Sequence, residues 1–434
     1  MSEFSFCTID FQKPKDHLYA LETPLGTRSV RDSVSYCNRC GLCLQSCPFY
    51  SQTQEEPLGP RGKNQTIRLL LERKINISRS QKELLRLAAA CALCGRCTRA
   101  CPGQIPTPQH ILELRRLLGN SFLPKTLHRL MQLHSNHPSL FYKIAHIGLA
   151  LRKMGVVKLA RFSGLANLCG WSWLHQADRM IPPSTRKEQK EWAALCHAKE
   201  GKPSLIYIPS LETELFLPQV GISVAKLVAQ KYRPIIWTKT PTGLFEYVYG
   251  NVRKARKQLG QLITRHAQLQ GGTLPILTDS LDVYNFLKQA ATLFEEYPHN
   301  KEHAMAFAKQ VLFVTDLLPQ KADVSFVATP VALDASALFS NEENPRLLAD
   351  KNLNTLFGKN FVHCNDRQAD LPAFGYGFIT DNNAVSLRDL SLRPLLEKEI
   401  KTIIVLSGWA LMEVYAARKR GASLQAIHIA QLNG

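Results

Sequence analysis

The sequence predicts an α+β multidomain chain: an N-terminal helical module built on two cysteine loops, a helical linker, and two α/β units. Three observations predict it. One cysteine pattern occurs twice in the first quarter of the chain, helical patterning lies between and after its copies, and from Gly201 short apolar runs alternate with helical stretches. The 434 residues allow two to four domains, and 45% hydrophobic content can fill their cores.

Residues 1–24 form an N-terminal extension. Their start, MSEFSFCTID, carries early acids and no apolar core, so it does not read as a secretory signal. Residues 25–120 hold the repeated pattern. Cys37, Cys40, Cys43 and Cys47 precede Pro48 with the spacing C-x2-C-x2-C-x3-C-P, and Cys91, Cys94, Cys97 and Cys101 precede Pro102 with the same spacing 54 positions later. Four thiolates converging on a cubic iron–sulfur cluster need one tight loop for three of them and a distant fourth. Gly41 and Gly95 follow the second cysteine of each block, where a sharp turn needs positive φ. In two-cluster ferredoxins the fourth cysteine of each block ligates the other cluster. By that pattern Cys37, Cys40, Cys43 and Cys101 hold one [4Fe–4S] cluster, and Cys91, Cys94, Cys97 and Cys47 hold a second. Zinc sites show paired cysteines in separate knuckles instead, and disulfide frameworks belong to small secreted domains.

Helices are expected over Thr66 to Lys74, over Ser80 to Ala90 with a capping box of Ser80 and Glu83, and over Gln109 to Leu118. The module therefore reads as an α-helical ferredoxin. Gly59-Pro60-Arg61-Gly62-Lys63 lacks the glycine spacing and the following Ser or Thr of a phosphate loop, and is expected to turn Arg61 toward a cluster or partner.

Residues 121–200 read as a helical linker rich in cations and rings. His128, His134, His137 and His146 close no ligand spacing and are expected at the surface. Residues 141–175 combine an apolar load with lysines and arginines, a composition that suits either an interfacial helix on an anionic membrane or a linker packed on its own domains. Beyond it, runs at Ser204 to Ile208, Pro234 to Trp237, Leu274 to Leu277, Val311 to Thr315, Val324 to Ala328 and Thr402 to Leu406 read as strands. Helices are expected at Gly221 to Lys231 and Ala410 to Lys419. Such alternation argues for parallel sheets, divided near residue 320 into units 201–320 and 321–434.

The net charge of +19, from 54 basic and 35 acidic residues, suits an anionic membrane surface or an acidic partner. No nucleic-acid motif accompanies it, so no nucleic-acid partner is expected. No run of about 18 apolar residues spans a bilayer. Unpaired thiols fit a reducing compartment. The expectation is a cytoplasmic protein, either free or peripheral at the inner face of the membrane.

Cys37 to Cys43, Gly59 to Gly62, and Cys91 to Cys101 with Pro102 resemble the iron–sulfur subunit of glycolate oxidase. They are similar also to the iron–sulfur proteins of lactate utilisation, anaerobic glycerol-3-phosphate dehydrogenase and heterodisulfide reductase. The resemblance implies two further cysteine-rich units, each with a C-C-G motif, and a flavin-bearing partner subunit that oxidises a 2-hydroxyacid. Here those units are degenerate. Pro241-Thr242-Gly243-Leu244 and Ala373-Phe374-Gly375-Tyr376-Gly377 stand where C-C-G is expected, and Thr329-Pro330-Val331 and Ser407-Gly408-Trp409 replace later cysteines. Proline, threonine, alanine and valine cannot ligate a cluster, and Cys7, Cys169, Cys196 and Cys364 read as lone thiols. The chain shows no catalytic constellation of its own. It is expected to pass electrons from an FAD-containing 2-hydroxyacid dehydrogenase subunit, with glycolate the family-level preference, through two clusters to a quinone or other acceptor. The competing reading is a non-catalytic iron–sulfur scaffold or redox-sensing adaptor.

Overall fold

The computed structural model describes residues 21–23, 26–28, 30–119, 125–156, 178–197, 202–294, 297–319, 322–335, 344–363 and 392–433. Cys7, Cys169, Cys364, residues 157–175 and the stretch 373–377 lie outside the described residues. The described chain mixes helix with small parallel sheets.

A two-stranded antiparallel hairpin, β1 (Leu21–Thr23) and β2 (Gly26–Arg28), precedes the cysteine module. The module is built from α1 (Val30–Ser35), α2 (Pro48–Thr53), α3 (Pro60–Leu71), α4 (Gln81–Ala89), α5 (Arg96–Arg99) and α6 (Thr107–Leu118). Its core is made where α3, α4 and α6 pack together, burying Ile67, Leu70, Leu84, Leu87, Ile111 and Leu114. Within each helix the two positions stand three residues apart, on one core-facing side. Two local expectations are corrected. The Gly59-Pro60-Arg61-Gly62 segment is not a free turn. Pro60 opens α3, a position where its missing N–H would have no helical partner anyway. Ser80 does precede α4, but its side chain makes no capping bond, so the capping box is not formed.

Helices α7 (Lys125–Asn136), α8 (Pro138–Lys153) and α9 (Arg186–His197) follow. The first parallel sheet has the order β4-β3-β5-β6 and comprises β3 (Leu205–Ile208), β4 (Pro234–Ile236), β5 (Ile276–Thr278) and β6 (Val311–Phe313). Ile206 stands between Ile235 and Ile276 in this register. Its connecting helices are α10 (Leu211–Leu215), α11 (Pro218–Ala229), α12 (Leu244–Val248), α13 (Val252–Gln268), α14 (Leu281–Lys288) and α15 (Pro298–Lys309). Every residue of β3 is buried, which explains why it reads as a continuous apolar run rather than an alternating one.

The second sheet, β7-β8-β9, is parallel too. It joins β7 (Val331–Asp334), β8 (Thr402–Val405) and β9 (Gln425–His428), with α16 (Asn344–Phe357) and α17 (Gly408–Arg418) between them. The expected strand at Val324 to Ala328 is absent; that stretch turns, and the strand begins at Val331. The two sheets fall on either side of residue 320, and their carboxyl ends meet. Leu281 N–H donates to the Leu406 carbonyl at 2.9 Å, and Ser407 Oγ donates to Asp282 Oδ2 at 3.2 Å. His428 Nε2 bonds the Asp279 carbonyl at 2.9 Å.

Candidate metal centre

The two cysteine loops fold alike because their backbones twist alike. Gly41 and Gly95 have φ of 84° and 73°, as the sharp turn demands. The preceding non-glycine positions, Arg39 and Leu93, are also left-handed, at 56° and 55°. They stand 54 positions apart, at equivalent places in the two blocks. A left-handed side-chain-bearing residue costs roughly 1–2 kcal/mol, and two at matching places mark a loop shape held for its cysteines. No glycine announces them in the sequence.

The cysteines line two neighbouring cavities. The first holds about 790 Å³ of space free of protein atoms, part of it open to solvent, and Cys37, Cys40, Cys43 and Cys101 are in its wall. The second holds about 330 Å³ and is lined by Cys47, Cys91, Cys94 and Cys97. Each cavity therefore takes three cysteines of one block and the last cysteine of the other, and the first cavity is touched by Cys97 as well. Cys97 and Thr107 belong to both walls. Among the described residues, no three His, Cys, Asp or Glu side chains gather closely enough for a single metal ion; the thiols surround cavities instead of converging on a point.

Electrostatics follow the same grouping. Burial pushes the Cys43 thiol up to about 11, with neighbouring charge on Cys37 and Cys101 adding to the shift. Burial raises Cys94 too, and Cys91 and Cys47 add to that, while Arg96 opposes it. Cys97 is driven well above its ordinary value by burial, then by Cys94, Cys91 and Cys47, with Lys63 opposing. Four crowded thiolates are unfavourable in such a place unless cationic metal balances them. This donor set fits an iron–sulfur cluster.

Buried cations support the second cavity. Lys63 is only 2% exposed; its ammonium donates to the Ala90 carbonyl and stands 5.3 Å over the Phe49 ring. Arg96 is buried too, near enough to Cys94 for its charge to lower that thiol's pKa. Arg115 donates to the carbonyls of Ala88 at 3.0 Å, Cys91 at 2.7 Å and Val248 at 2.8 Å, so one guanidinium ties the second cysteine loop to the α/β half. At that junction Gly250 has φ of 86°, and a Cβ there would stand 2.5 Å from the Arg116 backbone nitrogen.

The first cavity is braced by a polar chain. His110 is fully buried, and burial lowers its pKa to about 3, so the ring is neutral. Ser33 Oγ donates to His110 Nε2 at 2.6 Å, and His110 Nδ1 donates to Asn64 Oδ1 at 2.9 Å. Asn64 Nδ2 donates in turn to Thr107 Oγ1 at 3.0 Å, and both Asn64 and Thr107 line the cavity. Arg61 also lines it. Its Nε donates to Glu56 Oε1 at 2.8 Å and its Nη1 to the Arg39 carbonyl at 3.4 Å, which places it at the first loop as expected.

The linker histidines form no ligand set among the described residues. His134 corrects the surface expectation: it is buried between Phe141 and Phe245, and burial lowers its pKa to about 4. Cys196 is half-buried, its thiol pushed up to about 12 mainly by burial.

Residues 33–105 match the family model of the 4Fe-4S dicluster domain. The chain is 29% identical over 109 residues to the mitochondrial succinate dehydrogenase [ubiquinone] iron-sulfur subunit of Candida glabrata, covering 24% of this chain and 43% of that one. It is 36% identical over 94 residues to lactate utilization protein B of Macrococcus caseolyticus, or 22% and 18% of the two chains. Against the glycolate oxidase iron-sulfur subunit of Escherichia coli the identity is 28% over 124 residues, or 27% and 28%. The matched segments thus span less than half of each relative. No solved structure matches the chain. The N-terminal module is a ferredoxin-type 4Fe-4S domain.

Proposed function

We propose that this chain is the iron–sulfur electron-transfer subunit of a 2-hydroxyacid oxidase or dehydrogenase complex, with glycolate as substrate of the complex. A flavoprotein subunit carrying FAD oxidises the hydroxyacid, and a quinone or another acceptor receives the electrons. When bound, two [4Fe–4S] clusters supply one-electron carriers that divide the two-electron oxidation. Cys37, Cys40, Cys43 and Cys101 hold the first, and Cys91, Cys94, Cys97 and Cys47 the second.

The observation that supports this most strongly is the exchange of last cysteines between the two cavities. It interlocks the blocks, so neither loop is complete without the other. Cys97 and Thr107 stand in both walls, which keeps the two sites adjacent. Around the second cavity, Lys63, Arg96 and Arg115 oppose the accumulated negative charge of the thiolates, while Phe49 and Ala92 in its wall limit water. The first cavity is the larger, with Cys40 exposed in its wall, and is the natural face for a partner. The names of two relatives, glycolate oxidase iron-sulfur subunit and lactate utilization protein B, support the hydroxyacid part of the reading; the flavoprotein part rests on the resemblance of the cysteine blocks.

Anaerobic purification followed by electron paramagnetic resonance tests it. Addition of glycolate and the co-purifying flavoprotein should produce reduced-cluster signals. Clusters that dithionite reduces but no hydroxyacid–flavoprotein pair can reduce would remove the hydroxyacid assignment.

A further inference from the structure

Helix α8 presents an apolar stripe to solvent. Leu140, Ile144, Ile147, Leu151 and the capping residue Met154 recur at three- and four-residue steps, so they share one face. All five are exposed, by between 41% and 76%. The opposite face is fixed to the protein. Tyr142 is buried and its hydroxyl donates to Glu214 on α10, while Arg152 Nε donates to Asp178 Oδ1 at 2.6 Å and its Nη2 to the Ile181 carbonyl at 2.9 Å. Rotation of the helix to hide the stripe would break these bonds.

Charge identifies the occupant. From Leu114 to Ala177 the chain contains no Asp or Glu but nine Lys and Arg. Within α8, Lys143 flanks the stripe and Lys153 ends the helix; both are exposed. An aliphatic stripe bordered by one sign of charge suits the headgroup–acyl boundary of an anionic bilayer, with methyl groups inserted and ammonium groups at the phosphates. No described helix is long and apolar enough to cross a membrane, so α8 would lie in the surface plane.

We propose that α8 is a docking helix for an anionic lipid surface, entered by Leu140, Ile144, Ile147, Leu151 and Met154. The proposal stands apart from the electron-transfer reading: vesicle binding and cluster reduction are separate measurements, and either can fail alone.

The test is flotation of the full-length, cluster-loaded chain with phosphatidylcholine vesicles, with and without phosphatidylglycerol. Wild type should float with the anionic vesicles, release as salt rises, and bind the neutral ones several-fold less. The paired substitution Ile144→Glu and Ile147→Glu should weaken binding about tenfold or more, with cluster absorbance and circular dichroism unchanged because both positions are exposed. Lys143→Gln with Lys153→Gln should weaken it about tenfold and flatten the salt dependence. Wild type that ignores both vesicles overturns the proposal, as does a glutamate variant that binds like wild type. Capture of an acidic protein through this helix without vesicle binding overturns it too, and assigns the face to a protein.

Discussion

Replacing Arg115 by methionine should loosen the second cysteine loop and separate it from the α/β half. The guanidinium is 4% exposed and satisfies three backbone carbonyls, those of Ala88, Cys91 and Val248. Methionine fills most of the volume and donates nothing. A buried acceptor left without a partner costs about 1–3 kcal/mol, so three orphaned carbonyls cost about 3–9 kcal/mol. Removing the buried cation returns part of that, because burial already lowers the Arg115 pKa. The expected net loss is about 2–5 kcal/mol, a large fraction of ordinary domain stability. Lysine at this place keeps the charge but not the fork, and should recover less than half of the loss. Urea unfolding followed by fluorescence measures the stability, and hydrogen exchange at Cys91 and Val248 locates the effect. A methionine variant within about 0.5 kcal/mol of wild type, with unchanged exchange at both residues, would refute the argument.

Two further perturbations follow from the α/β half. Burial, reinforced by Asp279 and Asp282, raises the Glu212 pKa to about 8, against 4.5 ordinarily. A folded-state pKa raised in this way contributes stability below about pH 4.5 that is lost as pH rises toward 8, at no more than about 1.4 kcal/mol per unit. Denaturant titration from pH 5 to 8 should show that decline, and Glu212→Gln should flatten it; an equal slope in the variant would contradict the burial argument. Gly250→Ala places a Cβ against the backbone of Arg115 and Arg116 in a left-handed conformation. It should destabilise the chain by about 1–3 kcal/mol and increase protease cutting between the ferredoxin-type domain and the first sheet; cutting at the wild-type rate would count against a close junction.

The cysteine loops were legible because their chemistry demands fixed spacing and a glycine after each second cysteine. The left-handed Arg39 and Leu93 were not, since both are residue types that normally avoid positive φ. Lys63 and Arg115 were hidden for a different reason. Long cations are ordinarily solvated, and only the folded arrangement brings them to buried carbonyls and thiols. Short fully buried strands such as Leu205–Ile208 showed as apolar runs. Gln425–His428 was missed because its first residue is exposed and polar, and Val324 to Ala328 was misread because an apolar run of that length fits a turn against a core equally well. The helix start at Pro60 resembled a loop because Gly-Pro and Arg-Gly are turn dipeptides whose helical use depends on what precedes them.

The exchange of last cysteines is the claim on which the two-cluster arrangement depends, and single substitutions read by electron paramagnetic resonance test it directly. Serine is introduced separately at Cys37, Cys101, Cys91 and Cys47, and the iron content and reduced-state spectrum of each variant are recorded anaerobically. With last cysteines exchanged, Cys37→Ser and Cys101→Ser should alter one signal, while Cys91→Ser and Cys47→Ser alter the other. Pairing of Cys47→Ser with Cys37→Ser, and of Cys101→Ser with Cys91→Ser, would contradict the exchange.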